Sequence, residues 1–449
     1  MMKYKAYSRI NMTDIPQMKN IPASLRKEIL IAAKILPFKT NNYVTEYLID
    51  WSKVPDDPMF ILNFPQKEML LPEHFRIATD LYEGKYSESE AAGFLQKVYH
   101  DLNPHPAAQQ HNVPVLDGNR LNGMQHKYRE TVLFFPRQGQ TCHAYCTFCF
   151  RWPQFTGISH LKFRTKEAML LTTYLKKNPD VTDVLFTGGD PMVMHASVLR
   201  SYIEPLLQAD IPHLQTIRIG TKVLAYWTFR FLTDEDSDEL IALLEQIVKK
   251  GINLAIMAHF SHPVELKTPQ VAEAIRKIRS TGAQIRTQSP VLKHINDQPN
   301  IWAEMWRLQV NHNCIPYYMF IARDTGAQHY FSIPLVTAWD IFRKAYQSVS
   351  GVCRTVRGPS MSCIPGKVQI LGVSDIKVHG KIEKVIAMRM LQGRNPDWVA
   401  RPFFAEYHPE AIWIDQLKPA FGEKKFFFEE ELEEMFTEKL SEKMPDDFE

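Results

Sequence analysis

Between residues 130 and 350 short apolar, β-branched runs alternate with helical patterns, and this alternation constrains the fold more than any other feature. Runs at 132–135, 183–187, 216–220, 253–258, 284–289 and 315–321 are separated by helical stretches at 166–177, 196–208, 234–250, 269–280, 301–311 and 334–348. A long repeat of this kind builds parallel strands joined by crossover helices. Six units fall short of a closed eight-unit barrel. In parallel barrels the chemistry gathers at the C-terminal ends of the strands.

The flanks read differently. Residues 1–125 form a mainly helical N-terminal region, with helices expected at 24–35, ended by Pro37, and at 87–102, opening on the capping pattern Ser87-Glu88-Ser89-Glu90. Asp56-Asp57-Pro58 and Phe64-Pro65 read as loop. Residues 126–350 are the strand–helix region, and residues 351–449 a C-terminal region with strands at 367–373 and 384–388. Its acidic tail starts at Phe426-Phe427-Phe428, reads as a helix docked through aromatics, and ends Asp446-Asp447-Phe448-Glu449.

Composition is that of an ordinary globular protein: 45% hydrophobic, 23% charged, formal net charge +3. The charge calls for no nucleic acid, no apolar run suits a membrane span, and the N-terminus lacks a signal core, so a cytoplasmic protein is expected. Six cysteines in 449 residues are not a disulfide framework. Cys314, Cys353 and Cys363 are scattered and read as packing.

The other three stand together in Gln140-Thr141-Cys142-His143-Ala144-Tyr145-Cys146-Thr147-Phe148-Cys149-Phe150-Arg151. A tight loop with that spacing can turn three sulfurs onto one object. Zinc with His160 as fourth ligand, a set of inert buried cysteines and an iron–sulfur cluster are all open on spacing alone. Tyr145, Phe148 and Phe150 supply the dry shell that tunes a cluster.

This CxxxCxxC arrangement resembles the signature of radical S-adenosylmethionine enzymes. The resemblance implies an α/β fold, a partial (β/α)6 barrel with an N-terminal helical extension and a C-terminal α+β extension. It also implies a [4Fe-4S] cluster on Cys142, Cys146 and Cys149, whose open iron chelates S-adenosylmethionine and whose electron releases a 5′-deoxyadenosyl radical. Thr187-Gly188-Gly189-Asp190-Pro191 is similar to the family's glycine-rich motif beside the methionine amino group, which makes Gly188, Gly189 and Asp190 cofactor contacts.

Further stretches resemble the lysine 2,3-aminomutases specifically, from about Leu36 through Lys367. They are Ile217-Arg218-Ile219-Gly220-Thr221, Ala258-His259-Phe260-Ser261-His262-Pro263, Arg286-Thr287-Gln288-Ser289-Pro290 and His294-Ile295-Asn296-Asp297. His259 and His262 have the spacing of a metal pair, but the resemblance favours cofactor contact or packing; it gives Gln288 a cofactor contact. In these enzymes a lysine after a glycine-rich loop holds pyridoxal 5′-phosphate as a Schiff base, and Lys367 occupies that place after Ser362-Cys363-Ile364-Pro365-Gly366. The departure from a glycine run leaves open a radical enzyme without pyridoxal phosphate. Tyr128 and Lys127 match the phosphate-binding stretch; a second arginine is replaced by Thr131, so Arg129 is the expected substitute. Arg151 matches the arginine that clamps the substrate α-carboxylate. No cysteine follows Cys363, so no structural zinc is expected.

The implied activity is a 2,3-aminomutase, an isomerase that converts an α-amino acid into its β-isomer. Two aspartates that hold the distal ammonium of lysine in the family fall on Arg323 and Ser360 here. That change disfavours lysine and makes glutamate the first candidate, although a register slip onto Asp324 would restore a carboxylate. Action on free or protein-bound lysine remains the alternative. The expected partners are the amino acid substrate and a flavodoxin- or ferredoxin-like electron donor, with homo-oligomerisation left open.

Overall fold

The computed structural model describes residues 2–103, 109–156, 163–378 and 380–441. His160 and the tail from residue 442, including Asp446-Asp447-Phe448-Glu449, lie outside the described residues. The N-terminal part contributes strands β1 (Ala6–Ser8) and β2 (Lys39–Asn41), which pair antiparallel, and helices α1 (Ala23–Ala32), α2 (Pro58–Asn63), α3 (Pro72–Tyr82) and α4 (Glu88–Asp101). The capping pattern at α4 forms both of its bonds: the Glu90 N–H donates to Ser87 Oγ, and the Ser87 N–H donates to the Glu90 carboxylate. α2 lies between two stretches expected as loop, Asp56-Asp57-Pro58 and Phe64-Pro65, and takes in Pro58. Asp57 caps it, and Met59–Asn63 are all buried, so packing overrides the proline-flanked sequence.

A small ribbon, β3 (Val115–Leu116) and β4 (Asn119–Arg120), precedes the main sheet. Then follow β5 (Met124–Tyr128), β6 (Thr131–Phe134), α5 (Ala168–Lys177), β7 (Asp183–Phe186), α6 (Ala196–Gln208), β8 (Thr216–Thr221), α7 (Val223–Tyr226), α8 (Ser237–Lys249) and β9 (Asn253–His259). The chain continues through α9 (Pro269–Arg279), β10 (Gln284–Val291), α10 (Pro299–Asn311), β11 (Ile315–Ile321), α11 (Gln328–Phe331), α12 (Leu335–Gln347) and β12 (Arg357–Ser362). It finishes with β13 (Gly366–Val378), β14 (Lys381–Gly393), β15 (Pro402–Glu406) and α13 (Glu429–Ser441).

Among the described residues the main sheet has eleven strands in unbroken order from β5 to β15. β6 through β12 run parallel; β5 pairs antiparallel with β6, and β13, β14 and β15 add antiparallel on the other side. The crossover helices face the sheet with apolar stripes at helical spacing, such as Leu240, Leu243, Leu244 and Ile247 in α8 and Val271, Ala274, Ile275 and Ile278 in α9. Each such side chain, fully buried, contributes about 1.5–3 kcal/mol.

The structure adds a seventh parallel strand, β12, to the six expected. Its sequence Arg357-Gly358-Pro359-Ser360-Met361-Ser362 carries loop residues, yet it pairs with β11. A Cβ on Gly358 would lie 2.6 Å from the Met319 carbonyl, so only glycine permits that approach. The C-terminal hairpin β13–β14 is also longer than the two short strands expected. Phe426, Phe427 and Phe428 pack around Phe403 at 5.4, 5.7 and 5.6 Å between ring centres, immediately before α13. Among the described residues no helix is long and apolar enough to cross a membrane.

Leu133, Leu185, Arg218, Gln288, Tyr318 and Lys367, from six different strands, line one cavity, so the sheet is concave around it. The Lys127 ammonium on β5 donates to the Cys363 carbonyl between β12 and β13, which brings the two flanks of the sheet together.

Candidate active site

The cavity has a volume of about 390 Å³ and lies at the C-terminal ends of the parallel strands. The three-cysteine loop follows β6 and closes one end. The N-terminal region holds it in shape. The Tyr145 N–H donates to Lys39 O (2.7 Å), the Thr147 N–H to Leu62 O (3.0 Å), and Thr147 Oγ1 to Ile61 O (2.7 Å). Tyr4 Oη and Asn41 Nδ2 both donate to His143 O, at 2.9 and 3.2 Å. α2 and β2, without chemistry of their own, therefore fix the backbone on which the sulfurs stand.

Cys142, Cys146 and Cys149 are free thiols lining the cavity. Burial raises all three above the ordinary thiol range, Cys149 to about 12. Proximity to one another adds to the rise at Cys142. Cys146 Sγ donates to Tyr226 Oη at 3.5 Å. Among the described residues no three His, Cys, Asp or Glu side chains surround a single metal ion. A polynuclear cluster asks for something different, because each cysteine binds a different iron and the sulfurs stand apart. Three half-buried thiols lining one cavity fit that donor set.

Beside them is the turn after β7. Gly188 has φ +143°, and a Cβ on Gly189 would sit 2.5 Å from both the N and O of Thr141, so the turn and the cysteine loop touch backbone to backbone. Asp190 is buried, and burial lifts its carboxyl to about 6 against the pull of its donors. Those donors are the Met192 N–H (3.0 Å), Thr221 Oγ1 (2.7 Å) and the Lys222 N–H (2.8 Å). Gly188, Gly189, Asp190, His259 and Gln288 all line the cavity. His259 Nδ1 is buried without a partner, and burial keeps the ring neutral. His262 does not join it: its ring caps the Val264 N–H instead.

Lys367 marks the opposite end. It sits in a cross-strand row with Ser362 on β12 and Gln392 on β14, and its ammonium lies 4.2 Å from the Tyr318 ring centre. Burial first, and then Arg218, lower its pKa to about 8. Lys127 and Tyr128 line the same cavity; burial holds Lys127 well below the usual lysine range and Tyr128 above the usual phenol range.

Arg151 stands between the two ends and Arg323 on the lysine side of it, the two flanking Phe150. Both guanidinium carbons are 5.0 Å from the Phe150 ring centre, and Arg151 is also 4.5 Å from that of Phe135. Arg151 Nη1 is buried without a partner. Arg323 Nη2 donates to Ser362 O at 2.8 Å. Burial lowers both guanidinium pKa values, Arg151 to about 10.

Two expected residues are not brought to the cavity. Arg129 points outward and pairs with Asp180 at 2.9 Å, because it stands in the two-residue turn between β5 and β6, just past Tyr128, and that turn faces solvent. Ser360 is fully buried in β12, its Oγ 3.5 Å from Met319 O, and Ser362 takes the place in the wall. Three side chains to which the sequence reading gave no role stand in or beside this cavity. Arg218, paired with Asp183 at 2.8 Å, and Lys222, paired with the fully buried Glu265 at 2.6 Å, both line the cavity. Arg394 follows β14 and donates to Asn112 Oδ1 at 2.7 Å. Lys222 immediately follows the strand end Gly220-Thr221 and was legible by position; Arg394 had no such signal.

No protein-family model matches the chain. A putative L-lysine 2,3-aminomutase of Aquifex aeolicus is 28% identical over 413 residues, 92% of this chain and 96% of that protein. The L-lysine 2,3-aminomutase of Bacillus subtilis is 25% identical over 338 residues, 75% of this chain and 61% of its own length. That of Acetoanaerobium sticklandii is 28% identical over 260 residues, 58% of this chain and 59% of its own. Among solved structures, a radical SAM methyltransferase from Sphaerobacter thermophilus aligns with a TM-score of 0.37 and 15% identity, over 53% of this chain and 68% of that one.

Proposed function

We propose that this chain, similar to lysine 2,3-aminomutases, is a radical S-adenosylmethionine enzyme of that kind and moves the amino group of an α-amino acid from C2 to C3 with the help of pyridoxal phosphate. The observation that carries the reading is a single cavity with three half-buried thiols at one end, a half-buried amine at the other, and between them an arginine whose Nη1 is buried without a partner.

Cys142, Cys146 and Cys149 would hold a [4Fe-4S] cluster; Gly188, Gly189, Asp190, His259 and Gln288 would surround S-adenosylmethionine; Lys367, Lys127 and Tyr128 would hold pyridoxal phosphate. When bound, these groups supply an electron, a hydrogen-abstracting agent and an electrophilic carbonyl for the amine. The chain's own contribution is geometric and electrostatic. With a pKa of about 8, Lys367 is about one-tenth neutral at pH 7, enough for its amine to act as a nucleophile. Tyr318 and Phe320 keep water from it. Arg151 offers its unpartnered Nη1 to the α-carboxylate. Asp190 fixes the backbone beside the cysteine loop.

The substrate reading rests on Arg323. Of Arg323 and Asp324, only Arg323 lines the cavity. Two arginines on one phenyl ring suit two carboxylates, which makes a dicarboxylic amino acid, glutamate first, the preferred substrate. The reaction is an isomerisation: the amino group leaves C2 for C3 as one hydrogen passes from C3 to C2.

The test is anaerobic reconstitution with iron, sulfide and both coenzymes, followed by assay of glutamate, glutamine, arginine and lysine for β-isomers. Preference for glutamate is expected. Preference for lysine would remove the role of Arg323, and the absence of both 5′-deoxyadenosine and any β-isomer would remove the activity.

A further inference from the structure

A phenol from outside the cysteine loop reaches one of its sulfurs. Tyr226 ends α7, the short helix that follows β8, and is 1% exposed. It lines the cavity, and its hydroxyl lies 3.5 Å from Cys146 Sγ. Backbone, ring and hydroxyl are each fixed by a different partner. The Asn41 amide on β2 donates to both Tyr226 O (3.0 Å) and His143 O (3.2 Å), so one side chain ties the tyrosine backbone to the cysteine loop. The Lys222 ammonium stands 4.6 Å from the centre of the phenol ring. Glu265, fully buried, holds that ammonium at 2.6 Å, and Ser261 Oγ holds it at 3.3 Å.

A phenol has one proton to give, and a buried hydroxyl is costly when that proton has no acceptor. Asn63 adjoins the hydroxyl, but its Oδ1 is buried and takes no hydrogen bond. In the free thiol the Cys146 S–H donates to Tyr226 Oη. A sulfur that has bound iron is a thiolate with no proton left. Across the same contact only the phenol can then donate.

We infer that Tyr226 is a positioning residue acting through Cys146: its hydroxyl donates to the iron-bound sulfur and eases the entry of an electron into the cluster. This rests on the reading above that Cys146 carries iron, and adds to it a determinant of the reduction potential. A one-electron reduction places more negative charge on the core and its thiolates, where Glu265 and Asp190 already press on Cys146. A donor aimed at a sulfur offsets part of that charge, and hydrogen bonds to the sulfurs help set cluster potentials. The sulfur is more negative in the reduced state, so the bond is stronger there and the potential rises. Lys222 works in the same direction, because a cation over the ring face draws on its electrons and sharpens the O–H as a donor.

Three full-length proteins are reconstituted anaerobically with iron and sulfide, without S-adenosylmethionine: wild type, Tyr226→Phe, and protein carrying 3-fluorotyrosine in place of Tyr226. Bound iron is counted, a thermal melt checks the fold, and the midpoint potential is read from the electron paramagnetic resonance signal during reductive titration with dithionite. Tyr226→Phe is expected to bind as much iron as wild type but to reduce less readily. Its reduced-to-oxidised ratio at a fixed ambient potential should fall about tenfold, a downward shift of about 59 mV for one electron. 3-Fluorotyrosine, a more acidic phenol, should shift the potential upward. Equal potentials in all three proteins, each with its full iron, would overturn the role of Tyr226 and leave the cluster reading intact. A fluorotyrosine shift in the same direction as Tyr226→Phe would also overturn it, since packing alone would then account for both. If Tyr226→Phe loses its iron, the direction of the fluorotyrosine shift decides alone. Wild-type protein that takes up no iron and sulfide would overturn the cluster reading itself, and this inference with it.

Discussion

The cysteine end and the lysine end of the cavity are both half-buried, and loss of water acts on them in opposite directions. At the cysteine end it protonates the acids: the Cys149 thiol is raised to about 12 and the Asp190 carboxyl to about 6. At the lysine end it strips charge from the bases: Lys367 falls to about 8, and Lys127, Arg323 and Arg394 all shift down. The first end needs a cation to ionise its ligands, the second an anion to keep its cations charged. The difference teaches that one dry cavity can hold two opposite demands when the groups sit at separate strand ends.

Separability is the sharpest consequence. Cys146→Ala should lose the iron and all S-adenosylmethionine cleavage while Lys367 still forms an imine with pyridoxal phosphate. If that variant produced 5′-deoxyadenosine at the wild-type rate, the contrast between the ends would collapse. Lys367→Ala should do the converse, losing the imine band and the amino shift while cleavage of S-adenosylmethionine persists; wild-type amino-shift activity would take Lys367 out of the mechanism.

Arg323→Asp attacks the charge of the lysine end itself. A like-charge contact at ~4 Å costs about 4 kcal/mol at an effective dielectric of 20, so reversal should move preference from glutamate toward cationic amino acids by roughly two to three orders of magnitude. Competition between glutamate and lysine in one reaction reads it directly, and an unmoved ratio would place Arg323 outside substrate recognition.

Gly189→Ala tests the contact that joins the β7 turn to the cysteine loop. The new Cβ would meet Thr141 backbone at 2.5 Å, so about 1–3 kcal/mol of stability should be lost, with poorer iron retention and no change in imine formation. Equal damage at both ends would mean that the loop is not an independent unit. The smallest effect is one of pH. Only neutral Lys367 attacks the coenzyme carbonyl, so the imine-forming rate should rise about tenfold per pH unit below pH 8 and level off above it. A plateau delayed beyond pH 10 would show an unburied lysine.

Much of the parallel region was legible because its signal is local. A buried strand flanked by turn residues and followed by a helical stripe reads the same in any context, and β6 through β11 appear where the apolar runs stand. The cysteine spacing and the paired glycines were legible for the same reason. β12 was not, since its glycine and proline read as loop until Met319 packs against them. α2 was hidden in the same way between prolines.

The residue types needed at each end, thiols in one loop, a lysine after a turn, arginines at strand ends, were determined by the sequence alone, because chemistry follows from the side chain. Which of them share a cavity was decided only by the tertiary structure. Arg129 and Arg394 show why. Arg129 adjoins Tyr128 in the chain, but it falls in the β5–β6 turn, which faces solvent and Asp180; Arg394 is hundreds of residues away, yet curling of the sheet brings it against Asn112. A strand sets its side chains to alternate faces by a local rule, but which faces meet depends on how all eleven strands bend together.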